Sequence, residues 1–352
     1  MPPELVDGRV RFRYAADDPT VTGVALDCDR AVEGSRALTR DDDAPDWALD
    51  LPQPALDRVE YRYAVERESG TEVVLDPDNP CTVPTAFGDR SVLELPGYER
   101  PWWLDAPVVE GRYTTMALAG ETADEVPVDV WSPEDLADDE PAPLLLVHDG
   151  PEYDRLAAVT RFSAAHVAAG SLPPHRVALT HPVLRDAWYS GSPQYLRTVA
   201  DAGLERIGER FAVDRPVVVL GASLGGLTAL LLGMMAAPRV GGVVAQSGSF
   251  FQVRHDEAES GFPFFGRISR SVQAVLDMRH ADHPLVVGMT CGAREENAAN
   301  NRDMAAALTR AGHDVRYREV ADLHNYTAWR DALDPTLTDV LRTVWSSEGA
   351  PG

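Results

Sequence analysis

Hydrophobic and polar positions along the chain change rhythm near residue 105. Before it, short apolar runs alternate with polar positions: Val10 to Tyr14, Val21 to Leu26, and Val59 to Val65, where Val59, Tyr61, Tyr63 and Val65 share one face. A period of two places successive side chains on opposite faces of a strand. Asp76-Pro-Asp-Asn-Pro80 forces a turn among these runs. The pattern predicts a small β-sandwich over residues 1–105, with the connection to a second domain around Tyr98 to Trp103.

From residue 106 to 352 the rhythm alternates between strand and helix. Arg112 to Ala117 and Val126 to Trp131 read as strands, followed by an acidic turn from Pro133 to Pro143. Leu144 to His148, Arg176 to Thr180, Val217 to Leu220, Gly242 to Gln246, Pro284 to Met289 and Val315 to Val320 read as further strands. Tyr153 to Ala169 and Leu224 to Ala237 are predicted helices, as is Gln194 to Phe211, where Leu196, Val199, Gly203, Leu204, Ile207 and Phe211 form one stripe. The final helix is marked by Leu337, Val340, Leu341 and Val344. Strands alternating with helices imply a mainly parallel sheet covered on both faces, the α/β class.

Composition narrows the function. The chain has 352 residues, 44% of them hydrophobic, enough for a full core and two domains. Its formal net charge is -24, no lysine occurs, and all 32 basic residues are arginine. Such a surface repels nucleic-acid phosphates and anionic lipid, so neither is an expected partner. Because the charge is spread along the chain, it points to a salty cytoplasm that screens the self-repulsion, as in a halophile. Cys28, Cys81 and Cys291 show no metal-ligand spacing, so free thiols, no metal and no cofactor are expected. Charges throughout Met1 to Tyr14 argue against a secretory signal and for the cytoplasm. Pro216 to Pro238 is uncharged and long enough to imitate a membrane span, but its glycines fit a buried strand, a tight turn and a buried helix.

That turn carries the strongest chemical signal. Gly221-Ala-Ser223-Leu-Gly225 is a G-x-S-x-G between an apolar strand and an apolar helix, the context in which a serine is lifted clear of the backbone as a nucleophile. This places the second domain among the α/β hydrolases. A serine hydroxyl needs a base within reach, and this order of elements puts the base after the last strand, where His324 stands. His148 is its competitor, with a site-lining or core role the alternative for it. The acid that orients the base should follow the strand ending at Met289; Glu295 and Glu296 both qualify, and Glu295 is preferred. Oxyanion donors are expected from the backbone N–H of Leu224 and, after the early strand, of Gly150 rather than Asp149.

These residues resemble the enterochelin (ferric enterobactin) esterase group within the esterase D-like hydrolases. The resemblance rests on His148-Asp-Gly150, the Gly221 to Leu227 elbow, Gln246-Ser-Gly-Ser249 with two aromatics after it, Gly292-Ala-Arg-Glu295, and His324 five residues before Trp329. It implies a cytoplasmic carboxylic-ester hydrolase that opens siderophore ester bonds, and it adds weight to Ser223, His324 and Glu295. One departure stands out: the family often shows Gly-Gly-His-Asp at the base, whereas this chain has Asp322-Leu-His324-Asn325.

For substrate, Trp188, Tyr189, Phe250 and Trp329, with Phe251, Phe262, Phe264 and Phe265, suit flat aromatic or catechol groups such as those of a catecholate siderophore. Arg185, Arg254, Arg267 and Arg294 offer forked donors to an anionic ester. The same residues would serve an acyltransferase, and a binding protein on this fold is the non-enzymatic alternative.

Overall fold

The computed structural model describes residues 2–15, 18–40, 46–118 and 125–346. The chain forms two compact units, Met1–Glu99 with Ala321–Asn325, and Arg100–Val320 with Tyr326–Gly352. The boundary thus falls a few residues before the expected 105. The physical reason is Trp103, which is fully buried edge-on against Phe162 of the second unit and draws its neighbours there. The return of Ala321–Asn325 to the first unit has no signal in the hydrophobic pattern.

In the first unit, β1 (Glu4–Val6), β2 (Arg9–Ala15) and β4 (Asp46–Pro52) form one antiparallel sheet. The second sheet contains β3 (Val21–Cys28), β5 (Arg58–Arg67), β6 (Gly70–Val74), β7 (Thr82–Val83) and β8 (Arg90–Glu94). Phe12 from one sheet and Tyr61 from the other meet edge to face in a shared core. The alternation from Val59 to Val65 in β5 supplies four of that core's side chains, all at most 1% exposed. This is the expected sandwich.

The second unit is built on an eight-stranded sheet. Its strands are β9 (Gly111–Leu118), β10 (Val126–Pro133), β11 (Leu144–Val147), β12 (Arg176–Thr180), β13 (Val217–Ala222), β14 (Val240–Gln246), β15 (Val286–Gly292) and β16 (Asp314–Val320). In space they run β16-β15-β14-β13-β11-β12-β10-β9. From β12 to β16 neighbours pair parallel, while β10 pairs antiparallel with both β12 and β9. Leu144 and Leu146 of β11 enter the core on one face while Leu145 and Val147 enter the other, which is why the strand reads as an unbroken apolar run.

Helices cover both faces. These are α1 (Gly150–Ala157), α2 (Val159–Ala168), α3 (Arg185–Tyr189), α4 (Pro193–Thr198), α5 (Leu204–Arg210), α6 (Leu224–Ala236), α7 (Phe265–Leu276), α8 (Ala298–Ala311), α9 (Tyr326–Asp331) and α10 (Leu333–Ser346). The side chains of α6 join the core on one face and those of α10 the core on the other. The single helix expected from Tyr153 to Ala169 is two, because Ala158 adopts a left-handed φ of 51°. The stripe from Gln194 to Phe211 is likewise interrupted by a wide turn at Val199–Gly203, which hydrophobic spacing does not reveal. The uncharged stretch from Pro216 to Pro238 folds as β13, a turn and α6, and among the described residues no helix is long and apolar enough to cross a membrane.

Candidate active site

The site begins where the central strand β13 ends. Ser223 follows Ala222 at φ 56° and ψ −125°, a conformation costly for a residue with a Cβ, and α6 starts at the next residue. Its own backbone N–H and carbonyl are both engaged. Ser223 N donates to Gln246 O at 2.9 Å, and Ser223 O accepts from Gly226 N at 3.0 Å, Leu227 N at 3.2 Å and Ser249 N at 3.0 Å. These bonds hold the strained turn that leaves Ser223 half-buried amid buried neighbours. Gly221 is required because a Cβ there would stand 2.2 Å from Gly225 O. The Ser223 Oγ lies 3.2 Å from Ser249 Oγ.

A second turn abuts the elbow, since a Cβ on Gly225 would lie 3.4 Å from His148 Cβ and 3.3 Å from Asp149 Oδ2. Asp149 precedes α1 with φ 53°. Its N–H donates to the Tyr189 hydroxyl at 3.1 Å, and its carboxylate accepts Nε and Nη2 of Arg185, both at 2.8 Å. The Asp149 amide is therefore occupied. Among the described residues the N–H groups of Gly150 and Leu224 have no hydrogen-bond partner. They open α1 and α6, where helix N–H groups carry partial positive charge. A Cβ on Gly150 would meet the Leu179 backbone at 2.4 Å, so only glycine allows α1 to start so close to β12.

Glu295 lies after β15 and is half-buried, whereas Glu296 is exposed. The Glu295 Oε1 accepts from Gly292 N at 2.7 Å and from Ser247 Oγ at 2.8 Å. Ser247, at φ 47°, also accepts the indole N–H of Trp329 at 3.0 Å. Asn297 and Asn301 bind the backbone of Ser247 and Gly248, fixing the loop that carries Ser249. Sequence pattern does not single out Ser247, Ser249, Asn297 and Asn301 as site residues; their only signal there is the Gln246 to Ser249 run.

His324 stands between the end of β16 at Val320 and the start of α9 at Tyr326, on the segment that joins the first unit. It is exposed, while Asp322 and Leu323 before it are buried. His148 is different. It is completely buried, its Nδ1 is 3.3 Å from both Thr180 Oγ1 and the Tyr195 hydroxyl, and burial pushes its pKa down to about 3. A histidine held so far below neutrality is a poor proton acceptor, which leaves His148 as a core histidine beneath the turn.

The Esterase family model matches residues 119–340 of this chain. The chain belongs to the esterase family. The chain is 31% identical over 210 residues to the iron(III) enterobactin esterase of Dickeya dadantii, an alignment covering 55% of it. It spans about half, 47%, of that relative's length. In structure the chain is similar to the enterobactin esterase FES of Shigella flexneri, with a TM-score of 0.76, 20% identity, and 98% and 96% of the two chains covered. It is also similar to the ferric enterobactin esterase of Salmonella typhimurium, with a TM-score of 0.78, 20% identity and the same coverage. At such identity the likeness is one of fold.

Several residues expected to contact substrate are buried or already paired in the structure. Trp188 is buried and stacks on Tyr195 with ring centroids 5.1 Å apart, and Tyr189 and Phe250 are fully buried in the same core. Trp329 is buried with its N–H spent on Ser247. Arg185 is committed to Asp149, Arg267 to the carbonyls of Ser190 and Ala187, and Arg254 to Asp303. Phe251, Phe262, Phe264 and Phe265 remain half-buried.

Proposed function

We propose that this esterase is a serine carboxylic-ester hydrolase that works through an acyl-enzyme, with Ser223 as nucleophile, His324 as general base and Glu295 as the acid orienting it. The observation that carries the reading is the Ser223 elbow, whose strained backbone stands beside the N–H groups of Leu224 and Gly150, which have no partner among the described residues. In the first half-reaction His324 takes the Ser223 proton as Oγ bonds to the ester carbonyl carbon. Negative charge collects on the carbonyl oxygen, where the two N–H groups donate. The tetrahedral species then collapses, the carbon–alkoxy bond breaks, and His324 returns the proton to the departing alcohol. In the second half-reaction water gives a proton to His324 as it attacks the acyl-serine, the bond from the acyl carbon to Oγ breaks, and His324 returns the proton to Oγ, releasing the carboxylic acid and restoring Ser223. A carboxylate at Glu295 favours the imidazolium present in both steps.

For substrate we propose a catecholate siderophore ester of the enterobactin class. Support comes from the relative that is an iron(III) enterobactin esterase and from the half-buried phenyl rings of Phe251, Phe262, Phe264 and Phe265. The test is incubation with enterobactin, iron-free and iron-loaded, followed by mass detection of 2,3-dihydroxy-N-benzoyl-serine, with a simple aryl acetate alongside. Release of that product supports the substrate class. Turnover of the aryl acetate with no attack on enterobactin in either form would remove it.

A further inference from the structure

The loop that carries His324 is anchored by the first unit through buried polar contacts. Arg58, the first residue of β5, is 1% exposed and donates from Nε to Asp322 Oδ2 at 2.9 Å and from Nη2 to Asn325 Oδ1 at 3.0 Å. One guanidinium thus grips the chain on both sides of His324. Ala321 O accepts from Asp57 N at 2.6 Å, and Leu323 is buried in the sandwich core. Asp322 Oδ1 accepts from Leu323 N at 2.8 Å and from Asn325 Nδ2 at 3.3 Å, closing the loop on itself. Only His324 among Asp322, Leu323 and His324 is left outward.

A buried guanidinium keeps its charge and must be met by acceptors in its own plane, so it fixes the groups it binds more tightly than a flexible ammonium would. Here the acceptors are the two residues that flank His324. Glu60, at 3.2 Å from Arg58 Nη2, supplies a further acceptor from within β5. The departure from Gly-Gly before the histidine acquires a physical meaning in this chain, because Asp322 and Leu323 are the residues that dock the loop.

We propose that Arg58 is a positioning residue for the general base. This rests on the assignment of His324 as the base. Misplacing a reacting group by about 1 Å costs on the order of 100-fold in rate, and loosening this grip should act on kcat while leaving substrate binding alone.

The test uses the full-length protein and measures kcat, KM, the rate of fluorophosphonate labelling and Tm together. Arg58→Gln should lower kcat and the labelling rate by roughly 10- to 100-fold with KM little changed. Arg58→Lys keeps a charge against Asp322 but not the fork that also reaches Asn325, and should recover part of the loss. Should Arg58→Gln fail to fold, the double variant Arg58→Leu with Asp322→Leu removes both buried charges, and a folded protein with low kcat is the expected result. The proposal is overturned if either folded variant keeps kcat and the labelling rate. It falls together with its premise if His324→Ala retains activity, and alone if His324→Ala is dead while Arg58→Gln is unaffected.

Discussion

Ser247 donates its hydroxyl proton to Glu295 across 2.8 Å and accepts the indole N–H of Trp329 at 3.0 Å, so a core tryptophan helps aim a carboxylate. Glu296, one residue on, is exposed. Glu295→Gln should therefore lower kcat by roughly 100- to 10,000-fold, since an amide no longer stabilises the imidazolium. Glu296→Gln should stay within about two-fold, by the ordinary mildness of surface changes. Steady-state kinetics on the two variants decides, and equal mild effects would leave a Ser/His pair without an acid.

Arg185 separates two readings of a single side chain. If it bound an anionic ester, Arg185→Leu would raise KM. Its two hydrogen bonds to Asp149, whose side chain is 3% exposed, predict instead a protein with lower Tm and lower kcat at similar KM, because the turn presenting Gly150 loses its brace. Kinetics and a thermal melt on this variant test the point; a rise in KM alone would restore the substrate role.

Acid should unfold the protein partly through two buried histidines. Burial holds His148 down to about 3 and His175 to about 4, against an ordinary value of 6.5. The unfolded chain binds those protons first. The stability they contribute is therefore full above about 6.5 and lost as pH falls toward 4 and 3, by about 1.4 kcal/mol per pH unit for each histidine. Denaturant melts between pH 7 and 4 should show this slope, and His175→Asn should flatten it. An unchanged slope in that variant counts against the assignment.

Much of this was legible in the sequence. Val59, Tyr61, Tyr63 and Val65 announced a sandwich strand because every second side chain is buried, and the apolar run before Gly221 announced a strand covered on both faces. The G-x-S-x-G located Ser223 because its geometry excludes larger neighbours at Gly221. What was hidden depends on contacts distant in sequence. Arg58 lies 264 residues from Asp322, and no periodicity couples them. The burial of Trp188 and Phe250 was hidden too, because turn sequences do not show that the core closes over them.

The acidic surface makes a prediction about salt. With 56 carboxylates against 32 arginines, self-repulsion should weaken the fold in dilute buffer, where the Debye length is roughly 30 Å at 0.01 M. Tm and activity should rise together as KCl increases to 1 M, where that length is about 3 Å. A Tm that stays flat or falls from 0.01 M to 3 M KCl would assign the charge to solubility and contradict adaptation to a salty cytoplasm.

The central claim is that Ser223 is the covalent nucleophile. Intact-mass analysis after treatment with a fluorophosphonate, followed by peptide mapping, tests it most directly. One adduct per chain, located on Ser223 and absent from a folded Ser223→Ala variant that has also lost ester turnover, is the predicted result. An adduct of equal yield in Ser223→Ala, or turnover that survives the substitution, would contradict the account.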